Sequence, residues 1–377
     1  MTILSCTAFS YELPLVAPLQ LDKQQLFSRS GFIIRISNDE RCFGYGEVAP
    51  LPGLHRENIE TVLQQFQQIQ AELIGNKLQN QLQNQLQNQF QDLWEFLENW
   101  LAGYPLYPSL RHGLEMAVSN FLACIQGKTL AGLLNPAYQT MLPVNGLLTG
   151  NAVAIQEQLR RLLAEGYTTI KLKVGRQSLE QDIALVRTVR QALDRHVTLR
   201  LDANRSWDFA TAVHFGQAVA DWAVDYIEEP LRDPGRSTDF YQLTGIPVAL
   251  DESLAECYPE TMVIPRGVHA IILKPALLGG LVKTAQFIRL ARPLHIKTVI
   301  SSVFESGIGL AGLANYAAAL CDSVPVGLDT YRWLSDDLLE QRLAICGGQV
   351  DVDRVYFQAR QLRSDLLNKQ VGLDLDL

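Results

Sequence analysis

No two of the six cysteines are close enough to make a CxxC pair; they stand at 6, 42, 124, 257, 321 and 346. That spacing argues against a zinc or dithiol centre and fits a reducing cytosol. The histidines, at 55, 112, 196, 214, 269 and 295, are equally scattered. Each reads as structural or exposed rather than as a metal ligand. There is no basic cluster in a chain of formal net charge −8, so nucleic acid is not an expected partner. Apolar runs are short and interrupted, so no membrane span is expected. The first ten residues lack a basic stretch followed by an apolar core, so we expect no secretory signal and a cytoplasmic protein. What is present is an ordinary globular composition: 377 residues, 47% hydrophobic and 19% charged. That is enough chain for two domains, or for one barrel with additions.

Five charged positions recur at strand-and-helix intervals. Lys173, Asp202, Glu228, Asp251 and Lys274 are 29, 26, 23 and 23 residues apart. A strand, a loop and a crossover helix need about that length. Each charge then sits near the end of a successive parallel strand, and in a (β/α)8 barrel those ends converge on one catalytic mouth. The strands agree locally. Around Lys171 and Lys173, and around Arg200, Asp202 and Asn204, polar residues alternate with apolar ones, so each set shares one face. Such alternation also suits a surface strand of an antiparallel sheet. The helical patterns that follow both strands favour parallel crossovers.

In chain order, residues 1–50 read as β. Strands are expected at 31–36 and 42–48, with Asn38 and Asp39 in the turn between them. Prolines and glycine mark Pro50 to Gly53 as a loop, either a connector or a lid. From 57 to 100 the signal is helical and contains three tandem Leu-Gln-Asn-Gln copies at 78–89. A period of four keeps the leucines near one helix face, drifting by about 40° per repeat. Glutamine-rich tracts are otherwise often disordered. We read this one as a helix lengthened by repeat expansion. Another helix is expected over 109–126, with Leu110, Leu114, Ala117, Val118 and Phe121 on one face. Strands then fall at 142–148, 168–174, 197–203, 224–229, 247–251, 270–274, 297–303 and 325–329, and eight of these close a barrel. The expected fold class is α/β: a TIM-type barrel of seven or eight β/α units over 140–331. An N-terminal α+β domain over 1–130 joins it, sharing part of the C-terminal tail, about 332–377.

Carboxylates without histidine or cysteine make a hard oxygen site, suited to Mg2+ or Mn2+ rather than zinc. Asp202, Glu228 and Asp251 come from three neighbouring strands and can approach one ion, or can simply be salt-bridged. Glu229 and Glu252 adjoin two of them, and periodicity alone does not decide which member of each pair is the ligand. Lysines beside a metal read as acid/base groups. A second ammonium and a divalent cation both disfavour a further positive charge and so lower a lysine pKa. Lys171 supplies that ammonium to Lys173, and Lys274, from strand six, lies across the barrel.

The specific motifs are Gly44-Tyr45-Gly46-Glu47 leading to Pro50-Leu51-Pro52-Gly53, Lys171-x-Lys173-Val174-Gly175, and Arg200-Leu201-Asp202-Ala203-Asn204-Arg205. Glu228-Glu229-Pro230, Asp251-Glu252-Ser253, Lys274-Pro275, Ser301-Ser302-Val303-Phe304-Glu305-Ser306 and Gly327-Leu328-Asp329-Thr330 complete the set. Through them most of the chain resembles the muconate cycloisomerase-type branch of the enolase superfamily, and within it the o-succinylbenzoate synthases. The glutamine repeat departs from that pattern, in the capping region. The resemblance implies an enolase-like capping domain on the barrel and a small-molecule carboxylate substrate. It makes Asp202, Glu228 and Asp251 the Mg2+ (or Mn2+) ligands, Lys173 the proton-abstracting base and Lys171 its pKa-lowering neighbour. Lys274 would stabilise the enediolate from the opposite side. The loop 51–53 would close over the site, and Ser301 and Ser302, with Arg200, Asn204 and Gly53, would touch substrate. The implied reaction is loss of water from 2-succinyl-6-hydroxy-2,4-cyclohexadiene-1-carboxylate to give 2-succinylbenzoate, toward menaquinone or phylloquinone.

Three rivals remain. N-acylamino acid racemases and dipeptide epimerases would use Lys173 and Lys274 as two bases, and a dipeptide enzyme usually carries a late acid for the substrate amine, here Asp329 if it is not a turn residue. A Schiff-base aldolase would use either lysine as nucleophile, but would leave three carboxylates without a task. A non-catalytic binding protein on the same scaffold has no ligand motif in its favour.

Overall fold

The computed structural model describes residues 5–21, 24–38, 42–78 and 93–374. Asp39 and nearly all of the Leu-Gln-Asn-Gln repeat lie outside the described residues. The N-terminal part is an antiparallel sheet of β1 (Ser5–Leu21), β2 (Gln24–Ser37) and β3 (Phe43–Val48), joined on the far edge of β1 by the C-terminal strand Asn368–Asp374. Helix α1 (Ile59–Gln70) starts at Asn58, whose side chain accepts from Thr61 N at 2.9 Å, and continues as a π-helix over Ala71–Leu78. After α2 (Leu93–Leu101), helix α3 (Pro108–Ile125) lies on the sheet. Its expected apolar face is the buried one: Leu110, Leu114, Ala117, Val118 and Phe121 pack with Phe32, Ile34, Ile36 and Val48. The approach is close enough to explain the Gly-Tyr-Gly motif. A Cβ at Gly44 would stand 2.1 Å from the Ala117 carbonyl oxygen, and one at Gly46 1.8 Å from that of Gly113.

Beyond α4 (Leu130–Leu134) the chain enters the barrel through β4 (Met141–Pro143) and β5 (Gly146–Leu148). There follow α5 (Ala152–Ala164), β6 (Thr169–Lys173), α6 (Leu179–Ala192), β7 (Thr198–Asp202), α7 (Phe209–Val219), β8 (Val224–Glu228), α8 (Ser237–Thr244) and β9 (Val248–Leu250). The series ends with β10 (Val268–Leu273), the four-residue α9 (Pro275–Leu278), α10 (Leu281–Ala291), β11 (Lys297–Ile300) and α11 (Gly307–Leu320). Strands β5 to β11 form one seven-stranded sheet in sequence order, and its strand pairs are parallel. The expected eighth strand is reduced to two bridging residues, Val326 to Val144 and Gly327 to Ser301, which close the ring. The expected first strand is split. Pro143 has no N–H for a ladder, and 141–143 pairs antiparallel with β12 (Gln349–Asp351) instead. The tail adds α12 (Val352–Gln358) and the C-terminal strand, β13. Strands also stop one to three residues earlier than expected, where the backbone turns into the mouth loops: Asn204, Arg205 and Glu229 have φ of 43°, 58° and 42°. Among the described residues no helix is long and apolar enough to cross a membrane.

Two buried carboxylates of the N-terminal part dock it onto barrel helices. Glu47 accepts from Ser306 N (2.9 Å), Ser306 Oγ (2.6 Å) and Gly309 N (2.8 Å) at the start of α11, and from the Tyr11 hydroxyl. Glu115 accepts from Val282 N (3.0 Å) at the start of α10 and from Arg111 Nε (2.9 Å). Each satisfies N–H groups that the helix cannot, at the positive end of its dipole.

His112, on α3, is fully buried, and neither ring nitrogen has a hydrogen-bond partner among the described residues. Burial, with His55 nearby, lowers its pKa to about 3. The unfolded chain, with an ordinary value near 6.5, therefore takes up a proton that the folded chain refuses, and stability falls as pH drops from about 6.5 toward 3. His112→Leu removes this term. Relative to wild type the variant is expected to gain about 2–3 kcal/mol between pH 7 and pH 4.5. Urea unfolding at both pH values checks it, and an equal difference at the two would reject it.

Candidate active site

Register places the charged residues side by side. Lys173 pairs with Asp202 across β6 and β7, and Asp202 with Glu228 across β7 and β8. Asp251 follows β9 and Lys274 follows β10. Asp202, Glu228 and Asp251 are buried, and all three lysine side chains are between 12% and 17% exposed. Lys171 Nζ bridges both Glu228 oxygens (3.1 and 3.2 Å) and Asp202 Oδ2 (3.1 Å). Lys173 Nζ lies 2.6 Å from Asp202 Oδ2 and 2.7 Å from Asn204 Oδ1. Lys274 pairs with Asp251. Lys171, Lys173, Asp202 and Lys274 line a cavity of about 100 Å3 together with Asn145, Leu147, Ser301, Ser302, Phe304, Gly327, Asp329 and Thr330; Asn204, expected to touch substrate, does not line it.

Burial works against the ionised Asp202, but the Lys173 and Lys171 ammoniums outweigh it and hold its carboxyl well below the usual range. For Glu228, burial and then Asp202 push the pKa well up. Burial also acts to lower the pKa of Lys171 and of Lys274. Their carboxylate neighbours win, Glu228 and Asp202 in one case and Asp251 in the other, and both lysines stay above the ordinary value. The lysines thus serve here as the counter-charges of the acids.

The structure settles which way the paired acids face. Glu229 turns outward and braces two loops: its oxygens accept from Asp251 N (2.9 Å), Ser253 N (2.7 Å) and Arg205 Nε (3.1 Å). Glu252 stays at the mouth. One oxygen accepts from Asn204 Nδ2 at 2.7 Å, and the other is buried with no hydrogen-bond partner among the described residues. Asp202 and Glu228 at adjacent strand ends, Asp251 just after β9, and Glu252 with its unpartnered oxygen are hard oxygen donors of the kind that suits Mg2+, although among the described residues no three of them are gathered closely enough to hold one ion as they stand.

Ser301 and Ser302 line the cavity, both donating to Gly327 O (3.3 and 3.2 Å). Arg200 shares the interior face but lies one layer deeper. Its guanidinium donates to Asp225 (3.2 Å), Asn145 (3.3 Å) and Pro325 O (2.8 Å) and stacks over Tyr226, so it builds the barrel floor and does not line the cavity. Gly53 is exposed on the loop, with φ 81° and Leu21 as its neighbour, and does not line the cavity either. Of the uncharged lining residues, Asn145 and Leu147 were marked in the sequence only by their place in the expected first strand, while Phe304 and Thr330 stood inside quoted motifs with no role assigned to them.

Residues 154–355 match the family model described as "Enolase C-terminal domain-like", and residues 3–121 match "MenC, N-terminal domain". The o-succinylbenzoate synthase of Yersinia pseudotuberculosis is 32% identical over 333 residues, covering 86% of this chain and 90% of that protein. The chain belongs to the o-succinylbenzoate synthases of the enolase superfamily. Protein PHYLLO, chloroplastic, of Arabidopsis thaliana is 34% identical over 356 residues; the match covers 86% of this chain but only 20% of that longer protein. Among solved structures, MenC from Desulfotalea psychrophila is similar at 26% identity and a TM-score of 0.75, over 93% of this chain and 100% of that one. As a member of the o-succinylbenzoate synthase family the chain is an enzyme, a lyase of a metal-dependent family.

Proposed function

We propose that this enzyme removes water from 2-succinyl-6-hydroxy-2,4-cyclohexadiene-1-carboxylate to give 2-succinylbenzoate. The observation that carries the reading is the pair Lys173 and Lys274, from strands four apart in the sheet order, lining one cavity beside buried carboxylates. Lys173, in its free-amine form, takes the proton from the ring carbon that bears the carboxylate. That C–H electron pair becomes a ring double bond as the C–O bond to the hydroxyl breaks, and the same ammonium returns the proton to the leaving hydroxide as water. Asp202 and Asn204 aim the Lys173 amine. Lys274, aimed by Asp251, balances negative charge from the other side. Mg2+ held by Asp202, Glu228 and Asp251 would supply electrostatic stabilisation of the charge that builds on the substrate carboxylate. Aromatisation makes the step downhill, so proton abstraction is the main barrier.

Epimerisation of dipeptides is the nearest alternative, and Asp329 weighs against it. The Asp329 oxygens already accept from Tyr167 Oη (2.8 Å), Arg332 Nε (2.7 Å) and Leu147 N (3.0 Å), so Asp329 is tied into the fold and not held free for a substrate ammonium. The test is turnover of the cyclohexadiene substrate with Mg2+, followed by the appearance of the aromatic product, beside N-acylamino acids and dipeptides. Conversion of the cyclohexadiene is expected. Racemisation or epimerisation without dehydration would overturn the reading.

A further inference from the structure

A buried histidine that the chemistry above does not use helps fix the loop after β3 to the catalytic barrel. His55 Nδ1 accepts from Leu51 N at 3.0 Å, and His55 Nε2 lies 3.2 Å from Ala276 O. A backbone N–H can only donate and a carbonyl can only accept. Nδ1 is therefore bare, Nε2 carries the proton, and the ring is neutral. Ala276 belongs to α9, the turn that begins directly after Lys274. Gly279 and Gly280 both donate to Pro275 O, at 3.1 and 2.8 Å, which leaves the Ala276 oxygen facing His55. Leu51 packs there with Ala276 and Val303, and Phe304, on the edge of that cluster, lines the substrate cavity. At the base of the loop, Arg29 donates to Ala49 O (2.6 Å), Pro50 O (3.2 Å) and Phe304 O (3.1 Å). On the outside, Arg56 meets Glu256 at 2.5 Å, but both are more than three-quarters exposed and such a pair contributes little.

We propose that His55 is a positioning residue: only its neutral ring clasps the 51–55 loop to the turn that carries Lys274, so acid loosens substrate binding. A proton on Nδ1 would face the Leu51 N–H and break the clasp at that end. The charged and titratable groups around the ring are Glu57, Arg29 and His112. Burial lowers the His55 pKa most, and Glu57 opposes it. The proposal rests on the dehydratase reading for its kinetic arm only.

Asn at 55 can keep the acceptor for Leu51, and Gln can keep the donor for Ala276, so His55→Asn and His55→Gln each remove one end of the clasp. His55→Ala removes both. Without substrate, at pH 7.5, amide hydrogen exchange over 49–56 is expected to be fastest in His55→Ala and intermediate in the other two. With substrate, each lost bond is expected to raise KM by roughly 3–10-fold with kcat changed less. Wild-type KM is expected to rise on acidification only below the ordinary histidine range, because burial lowers the His55 pKa, and the Asn and Gln variants to lack that rise. Wild-type exchange in all three variants, whether or not the cyclohexadiene is a substrate, would overturn the clasp. An acid rise in KM that survives in His55→Asn and His55→Gln would overturn its pH dependence. Should His55→Ala not fold, the Asn and Gln variants decide both points.

Discussion

Lys173→Ala is expected to lower dehydration by at least about 10²–10⁴-fold, the usual worth of a general base. The loss should be larger here because no other base is evident among the described residues on that side of the cavity. Among the described residues no histidine lines the cavity. Lys274→Arg makes the matched comparison, because it keeps the charge but changes its shape and donor geometry. If Lys274 acts through charge alone, that variant retains part of the dehydration while losing any two-base racemase activity. Both variants are to be assayed for dehydration and for exchange of the substrate α-proton into deuterated solvent. The assignment fails if Lys173→Ala dehydrates at near the wild-type rate. It fails equally if Lys274→Arg loses everything while Lys173→Ala still exchanges, since the base would then be on the other strand.

Much of this site was legible because a strand has a period of two and a β/α unit a nearly fixed length. Those two regularities alone put Lys171, Lys173, Asp202, Glu228, Asp251 and Lys274 on one mouth. Period two reports the face of a strand, not the depth within the barrel. Arg200 therefore looked equivalent to Asp202 and Asn204, yet lies a layer below them against Asp225 and Pro325. Glu252 was unreadable for a different reason. The strand ends at Leu250, so alternation no longer applies two residues later, and Glu252 turns in to meet Asn204. The left-handed backbone at Asn204 that permits this contact is a property of the loop. Long-range partners were invisible too. Nothing in the sequence connects Asp329 with Tyr167, or His55 with Ala276, over separations of 162 and 221 residues.

Removal of divalent cation is expected to abolish turnover, and Mg2+ or Mn2+ to restore it. The argument is one of charge at the mouth. Four acids, Asp202, Glu228, Asp251 and Glu252, face three ammoniums, and burial together with Asp202 already pushes the Glu228 pKa well up. Buried anions in excess of their counter-charges are costly, and a hard divalent cation is the partner that all-oxygen donors favour. Binding should therefore be measurable without any assay of activity. Mg2+ at about 100 times its dissociation constant would stabilise the folded enzyme by roughly 2.7 kcal/mol, visible as a higher thermal midpoint. Glu228→Gln removes one formal charge from the donor set and leaves Lys171 beside an amide. This variant should lose both the Mg2+-dependent stabilisation and the turnover, while folding with a midpoint that Mg2+ does not move. Full activity in excess chelator, with a wild-type midpoint indifferent to Mg2+, would leave the three carboxylates as salt-bridge partners of the lysines and nothing more.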